Sequence, residues 1–187
     1  MKKITLEKAR EIINKNVIAL PSQMIELSKS LNCTLDEDII SKEDSPPFSR
    51  SPYDGYALCA EDTKVIINRE DCYLKIVGSC EAGHKNVDEI KSGEAVRIFT
   101  GGYIPKGANC VIKQEETIVQ DNYVKICKFM HPYENYCVQG EDFKVGTLLV
   151  EKGKIVDSRI TTVSGNAGYE KLRCIPKPKV GILTTGD

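Results

Sequence analysis

The run Ser45-Pro46-Pro47-Phe48-Ser49-Arg50-Ser51-Pro52-Tyr53-Asp54-Gly55-Tyr56-Ala57 limits what this chain can fold into more than any other segment. Pro46 and Pro47 lack backbone donors and restrict the residues before them, so neither a helix nor a central strand can pass through. Asp54-Gly55 is a turn signal, because Gly tolerates positive φ and an Asp side chain can bond its own downstream backbone. An apolar strand start follows at Tyr56, Ala57 and Leu58. The segment therefore reads as a stiff loop that delivers one carboxylate, Asp54, to a turn. A plain connector with a solvated Asp and a pre-organised acid at a site both fit that local chemistry.

Mostly helical patterns flank this loop and a β-rich middle. Leu6, Ala9, Ile12, Ile13 and Val17 recur at helical spacing over 5–19, with Thr5 as N-cap. Pro21-Ser22 breaks that helix, and Ser22 can cap a second, short one carrying Met24, Leu27 and Leu31. From Tyr56 to Lys128 the chain reads as short β-runs at 64–68, 72–77, 95–100, 110–113 and 123–128, separated by turn clusters such as Gly101-Gly102 and Asp121-Asn122. Such spacing predicts a coiled or barrel-like β unit rather than alternating βαβ. Further on come a strand at 148–150, a helix capped by Asp157 and running to about Ala167, and a strand at 172–175. The expected class is α+β, mainly β with flanking helices. One domain (46–137) is expected inside another (1–45 and 138–175). Pro176-Lys177-Pro178 reads as a linker, and 180–184 as a buried parallel strand opening a third domain that is cut off.

Net charge is −1, which gives no electrostatic case for nucleic acid or an anionic membrane surface. No apolar run approaches the ~18–20 residues of a membrane span. The start, Met1-Lys2-Lys3-Ile4-Thr5-Leu6-Glu7, turns amphipathic at once and does not read as a signal peptide, so a cytoplasmic protein is expected. The eight cysteines form no CxxC-type pairs, and most sit in apolar runs where a thiol acts as a small buried hydrophobe. A cysteine-rich metal-binding protein finds no support in that spacing. His84 and His131 are isolated in turn-like contexts.

Thr100-Gly101-Gly102 follows a β-run and offers a hydroxyl plus glycines that can let backbone N–H groups approach an anion. No Lys-Ser/Thr pair follows, so this is not a P-loop. A strand-ending turn is the competing reading.

Four blocks, in order and over nearly the whole chain, resemble the molybdopterin molybdenumtransferases, the MoeA family that includes the gephyrin E domain. The loop is similar to that family's "PPF(D/S)xSxxDGYA". The run from Arg97 to Ile112, followed by Glu115, resembles "RIxTGAxxPxGADAVVxxE", with Gly102 in place of Ala and Asn109 in place of Asp. Gly140-Glu141-Asp142 with Gly146 and Gly153 resembles "GEDxxxGxxLLxxG", and the run from Val180 to Asp187 resembles "VxxxSTGDEL", ending at the Asp. The resemblance implies insertion of molybdenum from molybdate into adenylyl-molybdopterin, with Mg²⁺ and release of AMP. It implies a homodimer formed through the first domain. The active cleft would lie between the second domain and the partner's third domain. It implies catalytic roles for Asp54, Thr100 and Asp142, substrate contacts from Ser51, Gly101 and Asp187, and metal ligation by Asp54 and Asp142. Without a third domain, the chain alone is expected to fold but stay inactive. A non-catalytic dimerisation or binding module is the alternative.

Overall fold

A computed structural model describes residues 4–84 and 86–184. The chain divides into two compact units, one holding the residues up to Ser41 and from Leu148 onward, the other spanning Lys42–Thr147. In chain order, the first unit opens with α1 (Leu6–Asn16), β1 (Gln23–Glu26), β2 (Thr34–Leu35) and β3 (Ile39–Ile40). The second carries β4 (Gly55–Leu58), β5 (Cys72–Cys80), β6 (Glu94–Ile98), β7 (Cys110–Lys113), β8 (Thr117–Gln120) and β9 (Tyr123–Ile126). The chain then returns to the first unit with β10 (Leu148–Val150), α2 (Ser158–Asn166) and β11 (Lys171–Ile175). The protein is thus mostly β with few helices. No helix among the described residues is long and apolar enough to cross a membrane.

The boundaries lie outside those expected at 45/46 and 137/138. The Ser45 N–H donates to the Phe143 carbonyl at 2.8 Å, and Asp44 accepts from Val145 N–H at 2.9 Å and from Gln139 Nε2 at 2.8 Å. Residues 42–45 and 138–147 therefore fold back on each other inside the second unit.

In the first unit, β1, β11 and β2 form an antiparallel sheet in that order, and β10 pairs with β3. Leu35, Ile39, Val156, Leu172 and Cys174 are buried together at its centre. α2 begins where Asp157 accepts the Ile160 N–H at 2.9 Å, satisfying one orphan donor of the first turn. α1 begins likewise at Thr5, whose hydroxyl accepts from Lys8 N–H at 3.3 Å. None of α1's residues is buried, and Leu6, Ile12 and Ile13 on its apolar side are exposed.

The second unit is a six-stranded mixed sheet in the order β7-β4-β6-β5-β9-β8, with only β5 and β6 parallel. Alternation along the strands sorts side chains to two faces. Tyr56, Leu58, Cys110 and Ile112 join a core on one side; Ala57, Val96, Ile98 and Val111 join a second core on the other. Strand β4 is buried along its whole length because both faces are covered.

Three expected elements differ. The short helix over 24–31 is instead strand β1 followed by a 3₁₀ turn (Leu27–Lys29), because backbone pairing with β11 overrides local helical preference. Residues 64–68 are not a β-run but the end of a 3₁₀ helix, Ala60–Asn68. Asn109 Oδ1 accepts the Ala60 N–H at 2.7 Å, and the buried Thr63 hydroxyl donates to the Ala60 carbonyl at 2.7 Å while accepting from Met130 N–H at 3.0 Å. Those contacts hold helical turns over residues whose local preference is extended. Residues 180–184 form no strand; Val180, Ile182 and Leu183 are largely exposed, and no described strand pairs with them. A strand persists only where a neighbour takes its ladder bonds.

Cys33, Cys72, Cys80, Cys110 and Cys174 are buried, Cys59 and Cys137 half-buried, and Cys127 exposed. Burial pushes the Cys110 thiol up to about 12 and the Cys174 thiol up to about 11. Since the thiolate is the reactive form, an aromatic disulfide reagent at pH 8 is expected to modify Cys127 at once and the five buried thiols only after unfolding. Rapid titration of all eight in the native protein would contradict this packing.

Candidate functional site

The proline-rich loop joins two other sequence blocks inside the second unit. On one side it meets 137–143. Asp142 N–H donates to the Ser45 carbonyl at 2.9 Å, Gly140 N–H to Pro46 at 2.9 Å, and Arg50 and Cys137 exchange bonds of 3.0 and 3.1 Å. On the other side it meets 101–104. Ser51 N–H donates to the Gly102 carbonyl at 3.0 Å, Gly101 N–H to Ser51 at 2.8 Å, and Ile104 N–H to Ser49 at 3.1 Å. Segments far apart in sequence thus converge on one loop whose prolines remove competing donors.

Asp54 lies at the end of that loop, half-buried, with Thr100 clasping it. Both the backbone N–H of Thr100 (2.8 Å) and its hydroxyl (2.9 Å) donate to Asp54 Oδ1. These bonds, the backbone one first, hold the carboxyl below its ordinary value of 3.8, and the Arg97 charge adds to the effect. Arg97 is itself fixed. Its guanidinium stands 5.1 Å from the Tyr56 ring centre and 5.0 Å from that of Phe99, and it donates to Gln114 Oε1 at 2.5 Å. Gln114 N–H closes the circuit by donating to the Asp54 carbonyl at 3.1 Å. Both Thr100 bonds go to Oδ1, so Oδ2 takes no part in them. The clasp yields a carboxylate that is ionised at neutral pH and restrained in orientation.

Of the two readings of Thr100-Gly101-Gly102, the strand-ending turn is the one the structure forms. All three amides point at protein acceptors: Thr100 at Asp54 Oδ1, Gly101 at the Ser51 carbonyl, Gly102 at the Phe99 carbonyl. The turn braces Asp54 instead. Gly102 fits for a steric reason, since a Cβ there would lie 2.6 Å from the Cys80 carbonyl oxygen and 2.8 Å from that of Phe99. Ser51, expected at the substrate, is 1% exposed; its hydroxyl donates to the Tyr53 carbonyl at 2.5 Å and accepts from Tyr53 N–H at 3.2 Å. Both bonds are local and shape the loop. Asn109, standing where the family has Asp, caps the 3₁₀ helix at Ala60, a task that needs an acceptor oxygen and no charge.

Asp142 is exposed and accepts from the Ser45 hydroxyl at 3.1 Å, at the opposite end of the loop from Asp54. Glu141 accepts from Val138 N–H at 3.1 Å and so closes its own turn. Among the described residues no group of three or more His, Cys, Asp or Glu side chains could hold a metal ion. Asp187 lies outside the described residues. Sequence reasoning passed over Arg97 and Gln114 as braces of Asp54; Arg97 opened a matched block, which was the available signal.

The MoeA N-terminal region family, domains I and II, matches residues 4–168. A molybdopterin molybdenumtransferase of Staphylococcus epidermidis is 33% identical over 183 residues, covering 98% of this chain and 44% of that protein. One from Staphylococcus aureus is 33% identical over 180 residues, covering 96% and 43%. The crystal structure of a molybdopterin biosynthesis MoeA protein from Pyrococcus horikoshii superposes with a TM-score of 0.81 at 33% identity, covering 95% of this chain and 45% of that one. The chain thus spans less than half the length of the relatives it matches. With a family match over most of its residues and a shared fold at 33% identity, it belongs to the MoeA N-terminal family.

Proposed function

We propose that this chain works in molybdenum cofactor biosynthesis, as the part of a molybdenumtransferase that supplies Asp54 to a site for adenylyl-molybdopterin and molybdate. The observation that carries this reading is the Thr100 clasp, which keeps Asp54 ionised at the matched motif position. Asp54, with Oδ2 outside the clasp, is a hard oxygen donor of the kind that suits Mg²⁺ held by one carboxylate and substrate phosphates; Asp142, expected as a second ligand, stands at the other end of the loop. When bound, the ion would screen the diphosphate charge as AMP leaves. The chain's own residues hold Asp54 in place, keep it charged and, through the stitched loop, fix where it stands.

A homodimer through the first unit fits the exposed apolar side of α1, where Leu6, Ile12, Ile13 and Val17 are 62%, 46%, 59% and 68% exposed. The same feature supports the alternative, a non-catalytic dimerisation module. The eight free thiols suit a reducing cytoplasmic setting. One assay separates the readings. A protein carrying this chain together with the remaining length of its relatives is given adenylyl-molybdopterin and molybdate. AMP release with reactivation of a cofactor-free molybdoenzyme is expected. Dimerisation with neither product would leave only the module.

A further inference from the structure

Lys113 closes strand β7 at the edge of the sheet, directly across from Gly55 in the β4–β7 ladder. One residue further on, the Gln114 N–H meets the Asp54 carbonyl. The lysine is therefore the cross-strand neighbour of the residue that follows Asp54. Alternation along β7 sends Ile112 to the core it shares with Tyr56, and Lys113 to the opposite side. The Arg97 guanidinium, over the Tyr56 ring, lies on the first side. Two cations thus approach the start of β4 from opposite faces.

They differ in what holds them. The Arg97 charge is taken up by the Tyr56 and Phe99 rings, the Gln114 amide oxygen and the Gly55 carbonyl 3.4 Å away. The Lys113 ammonium rests on the Tyr53 ring, 4.2 Å from its centre. Among the described residues Lys113 forms no ion pair, and none of its three ammonium donors is taken by an oxygen. Tyr53 is itself fixed by the buried Ser51, whose hydroxyl donates to the Tyr53 carbonyl and accepts from its N–H. A cation on an exposed aromatic face is held weakly, so a full anion can draw it away.

Opposite charges on neighbouring positions of a ladder attract and commonly close on each other. Asp54 and Lys113 do not: Thr100 holds the carboxylate by Oδ1, and Tyr53 holds the ammonium. The loop keeps a negative and a positive group in adjoining positions without letting either neutralise the other. An ammonium with unclaimed donors suits a tetrahedral oxyanion, which it binds as a point charge.

We infer that Lys113 binds an oxyanion beside Asp54, with the Tyr53 ring as the platform that keeps its ammonium at the loop. Which oxyanion arrives, a diphosphate or molybdate, rests on the function proposed above.

The test follows the Lys113 ε-methylene resonance, which the Tyr53 ring current moves upfield and Lys113→Gln removes. The chain is titrated separately with inorganic pyrophosphate and with molybdate, in metal-free buffer at constant ionic strength. Saturable movement of that resonance is expected, and the tighter of the two anions identifies the oxyanion the position takes. Read from backbone amide shifts, Lys113→Gln should weaken its binding about tenfold and Lys113→Arg should restore it to within about threefold. Asp54→Asn should tighten it by about threefold or more, because a neighbouring negative charge is lost. An anion bound elsewhere would not sense that change. Lys113 lies outside both cores, so circular dichroism of its variants should match the parent. A resonance that neither anion moves, or binding indifferent to Lys113→Gln or to Asp54→Asn, would overturn the site and leave Lys113 a cover for Tyr53. AMP release by the longer protein alongside such a result would leave the proposed function standing. An oxyanion site without AMP release would do the reverse.

Discussion

Replacing Gly55 by Ala is expected to destabilise the second unit by about 3 kcal/mol or more, above the ~1–3 kcal/mol of ordinary overpacking. Gly55 opens β4 and is paired on both sides, to Ile98 of β6 and to Lys113 of β7. A Cβ at this position would lie 1.9 Å from the Ile112 carbonyl oxygen, 2.9 Å from its carbon and 3.1 Å from the Lys113 Cα. Every one of these is backbone, so no rotamer change gives relief. The chain must separate β4 from β7, which opens both cores of the sheet. At ~2–4 °C per kcal/mol for a chain of this size, the melting temperature should fall by about 6–12 °C. Gly153→Ala is the control. Its φ of +86° is strained for alanine but nothing lies within 4 Å, so only the ~1 kcal/mol backbone effect is expected. A Gly55→Ala melt within 2 °C of the parent would mean that the strands part more easily than their pairing suggests.

Gly55 also shows what the sequence could and could not reveal. The Asp-Gly step was readable as special, but for the wrong reason. Gly55 has no positive φ, and its need for glycine comes from a strand brought against it from Ile112. Local signals served where the physics is local. Thr5 and Asp157 cap the helices their sequences announce, and 110–113 is a strand with the predicted bounds. They failed where a distant partner decides. Strand β1 exists because β11 pairs with it, and Ala60–Asn68 is helical because Asn109 and Met130 bond its start. The candidate site divides the same way. Asp54 and Thr100 were legible as a pair of motifs, and they meet. That the amides of Thr100, Gly101 and Gly102 all turn inward was not legible, because hydrogen-bond destinations depend on the loop that arrives from Ser51.

Asp54→Asn, in a protein of the relatives' full length, is expected to lower cofactor formation by about 10²-fold or more, the scale of removing one preorganised charge from a reacting centre. Asparagine keeps an acceptor oxygen where Asp54 Oδ1 receives the two Thr100 donors, so the clasp can re-form while the charge is gone. The melting temperature should therefore stay within about 2 °C. Thr100→Val removes one donor and leaves the backbone N–H, so a smaller loss, about tenfold, is expected. The pH dependence discriminates further. Hydrogen bonds to the charged form hold the Asp54 carboxyl below 3.8. Its stabilising contribution is present above that value and is lost as pH falls through the lower, folded one. In Thr100→Val the carboxyl should titrate closer to 3.8, shifting the acid limb of activity upward and not downward. Carboxyl NMR titration of the two proteins measures that shift without needing turnover. An unshifted titration, or full activity in Asp54→Asn, would remove the clasp from the chemistry and leave it a brace of the loop.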